Sequence, residues 1–449
     1  MKRGVAGPGW IVLLGAALVG WVLLRRFRGA RRLDLPLPAF KLTERRLQIR
    51  WLTHDPEVLE AAGEHARERG VSESVAMRLV ERYASEIVPT FDSRLYFRVG
   101  LPLAGWLSRA LYRIYSSGDE ELAAVDGDAS VIFVMNHRSN MDYVILAHLL
   151  SERVAVSFAA GEWARVWPLG PFVRAMGAFF VRRGSGDELY RRVLERFVQR
   201  AVEGGLALGV FLEGGLSRDG ALQEPRIGLL DYMLRRFGPA DGRDLIFVPV
   251  GINYDWVLED ESLIAAPRSS GAGLIVSTSR FAIRNLLIAL RGRRRLGHAA
   301  VGFGSQISAR EYARSRNIDF RALDREARAG RVRTLAGDLM RAIGELVPIV
   351  PVPVVAHILV ETPDEFVSEP EIESRVRRLI SALEERGACV SPGNEGIADA
   401  LRMLSLRRLV LEKNGSYRPT LAGVKILRYY ASSVSHLLPP EEGSQRTGD

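Results

Sequence analysis

Val131-Ile132-Phe133-Val134-Met135 runs directly into Asn136-His137-Arg138-Ser139-Asn140-Met141-Asp142-Tyr143. A short, β-branched apolar run that gives way to polar residues reads as a buried strand ending at a loop or a helix start. His137 and Asp142 are five positions apart, so a helix opening near Ser139 places both side chains close to one face. A carboxylate bonded to one imidazole nitrogen fixes the tautomer and leaves the other nitrogen to act as a base. A lone His-x4-Asp is more often a capped helix start than a catalytic pair, so the weight falls on what surrounds it.

Downstream of Val131, apolar runs alternate with helical segments. Strands are expected at 131–136, 154–159, 178–182, 206–212, 245–250 and 299–304, and Leu189, Val193, Phe197 and Val198 mark an amphipathic helix within 183–204. This alternation predicts an α/β fold, a mainly parallel sheet flanked by helices, with functional loops at the carboxyl ends of the strands. Upstream, residues 43–116 lack strand signals and show helical spacing. Within them, Gly100–Tyr115 fits either a membrane interface or a helix packed on the next domain. The stretch 258–298 carries the apolar run Phe281–Leu290 and a cluster at Arg291, Arg293, Arg294 and Arg295, read as a solvated face. Beyond 330 the chain reads as helical, with Val347–Val355 as a proline-broken link and a hairpin over 408–420 around Asn414-Gly415.

The expected organisation is an N-terminal membrane anchor with basic flank over 1–32, a helical region over 33–120, a catalytic domain over 121–310, a helical domain over 311–438 and a disordered tail over 439–449. The anchor rests on residues 4–24, which carry no charge, with Lys2 and Arg3 before them and Arg25, Arg26, Arg28, Arg31 and Arg32 after. A span needs about 20 apolar residues, and the arginines stand where a cleavage site should be. The heavier C-terminal positive flank puts the rest of the chain on the cytoplasmic face of the inner membrane. The single cysteine, Cys389, excludes an internal disulfide and a Cys-rich metal site. A net charge of +9 calls for an acidic partner. Zinc-finger spacing and RNA-binding aromatics are missing, which speaks against nucleic acid and for anionic lipid or a phosphorylated substrate.

Three further segments carry chemistry. Gly177-Ala178-Phe179-Phe180-Val181-Arg182-Arg183 ends a strand in paired arginines, whose planar forks suit phosphate. In Val210-Phe211-Leu212-Glu213-Gly214-Gly215-Leu216-Ser217-Arg218-Asp219-Gly220 the glycines allow a ligand to approach closely, Glu213 can accept from a hydroxyl, and Ser217 and Arg218 can donate to phosphate. Ser217 is not a nucleophile elbow, because Asp219 stands where the second glycine belongs. Ile246–Asp255 is a strand interrupted by Pro249, which reads as an edge or a bend and as a structural or acyl-pocket residue.

These four segments, in this order, resemble the glycerol-3-phosphate/dihydroxyacetone-phosphate acyltransferase family, with the bacterial membrane glycerol-3-phosphate acyltransferases as the closer members. Tyr83–Ile87, Val301–Gly304 and Leu427–Leu438 are also similar to the family's flanking signatures. The resemblance implies transfer of an acyl group from acyl-CoA or acyl-carrier protein to the 1-hydroxyl of glycerol 3-phosphate. His137 would be the base and Asp142 its orienting carboxylate. Arg138, Arg182, Arg183, Glu213, Gly214, Gly215, Ser217 and Arg218 would position the acceptor. No covalent acyl-enzyme, metal or redox cofactor is implied. Leu216 stands where the family has arginine, and Asp219 where threonine is common, which brings the acceptor into question. A lysophospholipid acceptor is the rival within the enzyme class, and a non-catalytic protein binding anionic membrane lipid is the rival outside it.

Overall fold

The computed structural model describes residues 37–123, 128–161, 169–182, 184–240, 242–265, 295–391 and 396–438. The anchor segment, Arg183, the run Phe281–Leu290, the arginines at 291–294 and the tail lie outside the described residues. Among the described residues, no helix is long and apolar enough to cross a membrane.

Eight strands form one sheet: β1 Arg113–Ser117, β2 Ser130–Met135, β3 Ser157–Ala160, β4 Phe179–Phe180, β5 Leu208–Phe211, β6 Leu245–Tyr254, β7 His298–Phe303 and β8 Ile307–Ser308. Their order is β1-β7-β6-β2-β5-β3-β4, with β8 beside β6. β6, β2, β5, β3 and β4 run parallel, while β7 and β8 lie antiparallel to β6. The sheet is therefore mainly parallel, as the strand–helix alternation predicts. Its central strands read as unbroken apolar runs because helices cover both faces. Along β2, Phe133 and Met135 join one core with the helices Pro351–Glu361 and Gly423–Ser432. Ile132 and Val134 join the other, with Glu73–Ile87, Glu188–Glu203 and Arg325–Leu346. Successive side chains of a strand point to opposite faces, which is how six residues serve two cores.

Three expectations change. β1 falls in the stretch expected to be helical. Its sequence, Arg-Ile-Tyr-Ser-Ser, has no apolar run because it is a half-exposed outer strand, held by parallel pairing to β7. Pro249 sits inside the central strand β6 rather than at an edge. β8 pairs with Ile246 and Phe247, and β7 takes over from Val250. The Pro249 carbonyl accepts from the Gly304 N–H on that same side, at 3.0 Å. A residue's N–H and C=O point to one side of a strand, so the missing donor falls where one neighbour hands over to the next. The link Val347–Val355 becomes, from Pro351, the start of a buried helix. Pro351 and Pro353 occupy its first turn, where backbone N–H groups have no helical acceptor. Gly100–Tyr115 contributes the packed helix Leu101–Leu111, whose Leu101, Ala104, Gly105, Ser108 and Leu111 are buried. The hairpin forms as expected, Val410–Lys413 against Ser416–Pro419, with Asn414 and Gly415 at φ 52° and 70°. This is the conformation that tight hairpin turns demand.

Candidate active site

β2 ends at Met135 and the helix Met141–Leu149 begins six residues later, so Asn136–Asn140 form a tight connection at the carboxyl edge of the sheet. Asn136 anchors it to β6: its amide donates to the Ile252 carbonyl at 2.9 Å and its oxygen accepts the Ile252 N–H at 2.8 Å. His137 Nδ1 lies 2.8 Å from Asp142 Oδ2. The same oxygen accepts the Arg138 and Ser139 N–H groups at 2.8 and 3.1 Å. Asp142 Oδ1 accepts from the Tyr254 hydroxyl at 2.6 Å. A carboxylate with four donors is fixed in position. His137 and Asp142 are 1% and 0% exposed. The imidazole stacks on Phe211, ring centroids 3.8 Å apart, and meets Tyr143 edge-on.

The third segment is attached to the first through main chain and side chain together. The His137 N–H donates to Glu213 Oε1 at 3.2 Å, and the Ser217 N–H donates to the His137 carbonyl at 3.0 Å. Burial pushes the Glu213 carboxyl up to about 8, against the opposing pull of Arg138 and the His137 N–H. Glu213 is therefore a neutral acid near pH 7. Its Oε2 has no hydrogen-bond partner among the described residues. Arg138, only 2% exposed, donates through Nη1 to the Gly220 carbonyl and lies 5.1 Å from the Tyr429 ring centre. Its Nε and Nη2 are likewise without acceptors among the described residues. A buried acid and a buried cation with unused hydrogen-bonding capacity flank the histidine.

The other expected residues are distributed as follows. The Ser217 hydroxyl lies 2.9 Å from the Ala221 carbonyl and 3.2 Å from Asp219 Oδ1, and accepts the Gly220 N–H at 3.0 Å. It closes its own turn. Gly214 has φ 69°, and a Cβ there would strike the Arg226 side chain. Gly215 and Arg218 are half-buried on the same loop. Leu216 packs against the apolar core. Arg182 stands past β4, three strands from β2, or about 14 Å at ordinary strand spacing. Its guanidinium grips Glu86 with both prongs, at 2.7 and 2.6 Å, and lies over the rings of Tyr83 and Tyr190.

Sequence reasoning missed three parts of this assembly. Tyr254 stood in the Ile246–Asp255 segment, past the strand expected over 245–250, with no role assigned to it. Glu259, fully buried with its carboxyl pushed up to about 7 by that burial, accepts from Ser139 Oγ at 2.7 Å and from both nitrogens of Asn140. No periodicity marks it. Tyr429 and Tyr430 belong to a helix far along the chain. The Tyr430 hydroxyl donates to Asp260, which also accepts from Arg407 at 2.6 Å. Among the described residues, no group of His, Cys, Asp and Glu could hold a metal ion.

Two family models match the chain: the acyltransferase model over residues 113–253, and the glycerol-3-phosphate acyltransferase C-terminal region over 283–441. The chain thus carries an acyltransferase domain followed by a glycerol-3-phosphate acyltransferase C-terminal region. Among its relatives, a glycerol-3-phosphate acyltransferase of Shewanella halifaxensis is 26% identical over 89% of this chain and 51% of its own length. One from Pseudomonas aeruginosa is 28% identical over 88% and 49%, and one from Aeromonas hydrophila is 31% identical over 61% and 34%. The chain thus spans about half the length, or less, of the curated relatives it matches. A solved 1-acyl-sn-glycerophosphate (LPA) acyltransferase from Thermotoga maritima covers 67% of this chain and 97% of its own, at 15% identity and a TM-score of 0.32, a likeness too distant to add to the reading.

Proposed function

We propose that this chain transfers a fatty acyl group from an acyl thioester, carried by coenzyme A or acyl-carrier protein, to the 1-hydroxyl of glycerol 3-phosphate. The observation that carries the reading is the 2.8 Å contact between His137 Nδ1 and a carboxylate that is itself fully bonded. With Nδ1–H committed to Asp142, proton transfer falls to Nε2. It takes the proton from the acceptor hydroxyl as the oxygen attacks the thioester carbonyl carbon. The tetrahedral intermediate then expels the thiolate, which recovers the proton from the imidazolium. Glu213 and Arg138 supply hydrogen bonds to the acceptor or to the oxyanion. The apolar segment 4–24 and its arginines support a location on the cytoplasmic face of the inner membrane.

Leu216 favours a second reading. Its side chain adds apolar surface beside the core where a charge would otherwise stand, which suits the acyl chain of a lysophospholipid, the feature that glycerol 3-phosphate lacks. The deciding experiment incubates purified protein with radiolabelled acyl-CoA or acyl-carrier protein and each acceptor in turn. Labelled lysophosphatidic acid, absent with His137→Ala, is the expected product. Acylation of 1-acylglycerol 3-phosphate alone would replace the first reading with the second.

A further inference from the structure

Ser157, Gly177 and Leu206, at the amino ends of β3, β4 and β5, help to line a cavity of about 330 Å³. His137 follows the carboxyl end of β2, which runs parallel to β5, and β5 in turn to β3. The cavity therefore opens on the opposite edge of the sheet from the site above. Its volume is at the small end of ligand pockets, about 300 Å³ upward.

Two buried polar side chains in its wall are incompletely used. Lys41 is 5% exposed. Its ammonium donates to the Ala155 carbonyl and sits 4.8 and 5.5 Å from the ring centres of Phe91 and Tyr96. An ammonium has three donors, and among the described residues no carboxylate pairs with this one. Burial without a counter-charge pushes it down to about 7. Gln48, 6% exposed, donates through Nε2 to the Phe40 and Thr43 carbonyls at 2.9 and 3.1 Å, while its Oε1 accepts from nothing among the described residues. Arg45 and Arg46 also line the cavity, against a single carboxylate, Glu44. Arg45 already donates to the Val88 and Ser85 carbonyls, so what the wall leaves unused is donor capacity on the Lys41 ammonium and the Gln48 acceptor.

We propose that this cavity binds a phosphate group, free in solution or borne by an anionic lipid, with anionic oxygens on Lys41 and a P–OH donating to Gln48 Oε1. Phosphate is matched because one group presents both kinds of partner, and a plain carboxylate would leave Gln48 unsatisfied. The proposal is independent of the acyl-transfer reading.

The test titrates inorganic phosphate into the detergent-solubilised full chain by calorimetry at fixed ionic strength. Saturable binding is expected, weakened about tenfold or more in Lys41→Met and in Gln48→Leu, with the acyl-transfer rate retained in both. In parallel, flotation with phosphatidylcholine vesicles, with and without phosphatidic acid, identifies the source. Lys41-dependent binding to phosphatidic acid without binding of free phosphate assigns a lipid headgroup. Should either variant fail to fold, labelling of wild-type Lys41 by an amine-reactive reagent gives the answer directly, because bound phosphate slows it. Phosphate and vesicle binding that ignore Lys41, together with unprotected labelling, would overturn the proposal.

Discussion

The Tyr254 hydroxyl, at the last residue of a central strand, donates to Asp142 Oδ1 at 2.6 Å while His137 holds Oδ2. The two carboxylate oxygens are thereby assigned separate tasks, one to the sheet and one to the imidazole. Tyr254→Phe removes the sheet's grip and leaves a buried carboxylate oxygen unpaired. Stability should fall by about 1–3 kcal/mol, and kcat about tenfold through a misplaced imidazole. An unchanged kcat in a folded Tyr254→Phe protein would show that Tyr254 is purely structural.

His137→Ala should leave the melting curve close to that of wild type and lower kcat by about 10²–10⁴-fold, the usual worth of general-base assistance. Asp142→Asn should match it, since the amide favours the wrong tautomer. Retained turnover in purified His137→Ala would move the base elsewhere.

Glu213 predicts a pH dependence. Its folded pKa of about 8 lies above the unfolded value of about 4.3. The folded state therefore keeps a proton that the unfolded chain has released, and stability is full below the lower value and declines as pH rises toward the upper one. Glu213→Gln has no proton to lose. Its melting temperature should rise relative to wild type between about pH 5 and pH 9, and its activity should persist where wild type fades. Parallel melting curves across that range would mean that Glu213 is ionised throughout.

Arg182→Ala separates two roles. The guanidinium is paired with Glu86, which is 8% exposed, so removing it strands a buried carboxylate at a cost of about 2 kcal/mol. Arg182→Ala combined with Glu86→Gln should recover most of that loss. If the KM for glycerol 3-phosphate stays high in the stable double variant, Arg182 binds the acceptor as well. If KM returns to normal, its role is to hold the helix Glu73–Ile87 against β4.

Gly220 has φ 85°, and a Cβ there would meet the Tyr429 backbone carbonyl. Gly220→Ala should unseat the last helix from Arg138 and lower both stability and turnover, the latter about tenfold. Normal kinetics would show that Arg138 does not depend on that contact.

The fold was legible where strands are buried on both faces. Val131–Met135 and Ile246–Val250 announce themselves as apolar runs, and the structure turns both into strands. β1 was invisible because Arg113–Ser117 is half-exposed, with no apolar run, and is held by backbone bonds to β7, which leave no mark on side-chain choice. The site divides in the same way. The proximity of His137 and Asp142 follows from helical spacing alone, a local fact. The grip of Arg182 on Glu86, 96 positions away, does not, although both residues lie in segments that drew attention. Tyr254 and Glu259 converge on the Asn136–Asp142 turn through tertiary packing, and single-sequence periodicity carries no record of such meetings.

Arg138 rests on Tyr429, Asp260 on Tyr430, and Asn253 on Ser433. Each of these supports is made by a residue from 429–433 for one encoded much earlier. A chain cut short before Gly423 would still contain His137, Asp142, Tyr254 and Glu213, yet Arg138 would lose the Tyr429 ring and Asp260 the Tyr430 hydroxyl. Nonsense mutations well downstream of His137 and Glu213 should therefore be as silencing as those beside them, because the surroundings of that histidine are completed only once residues 423–433 have been made.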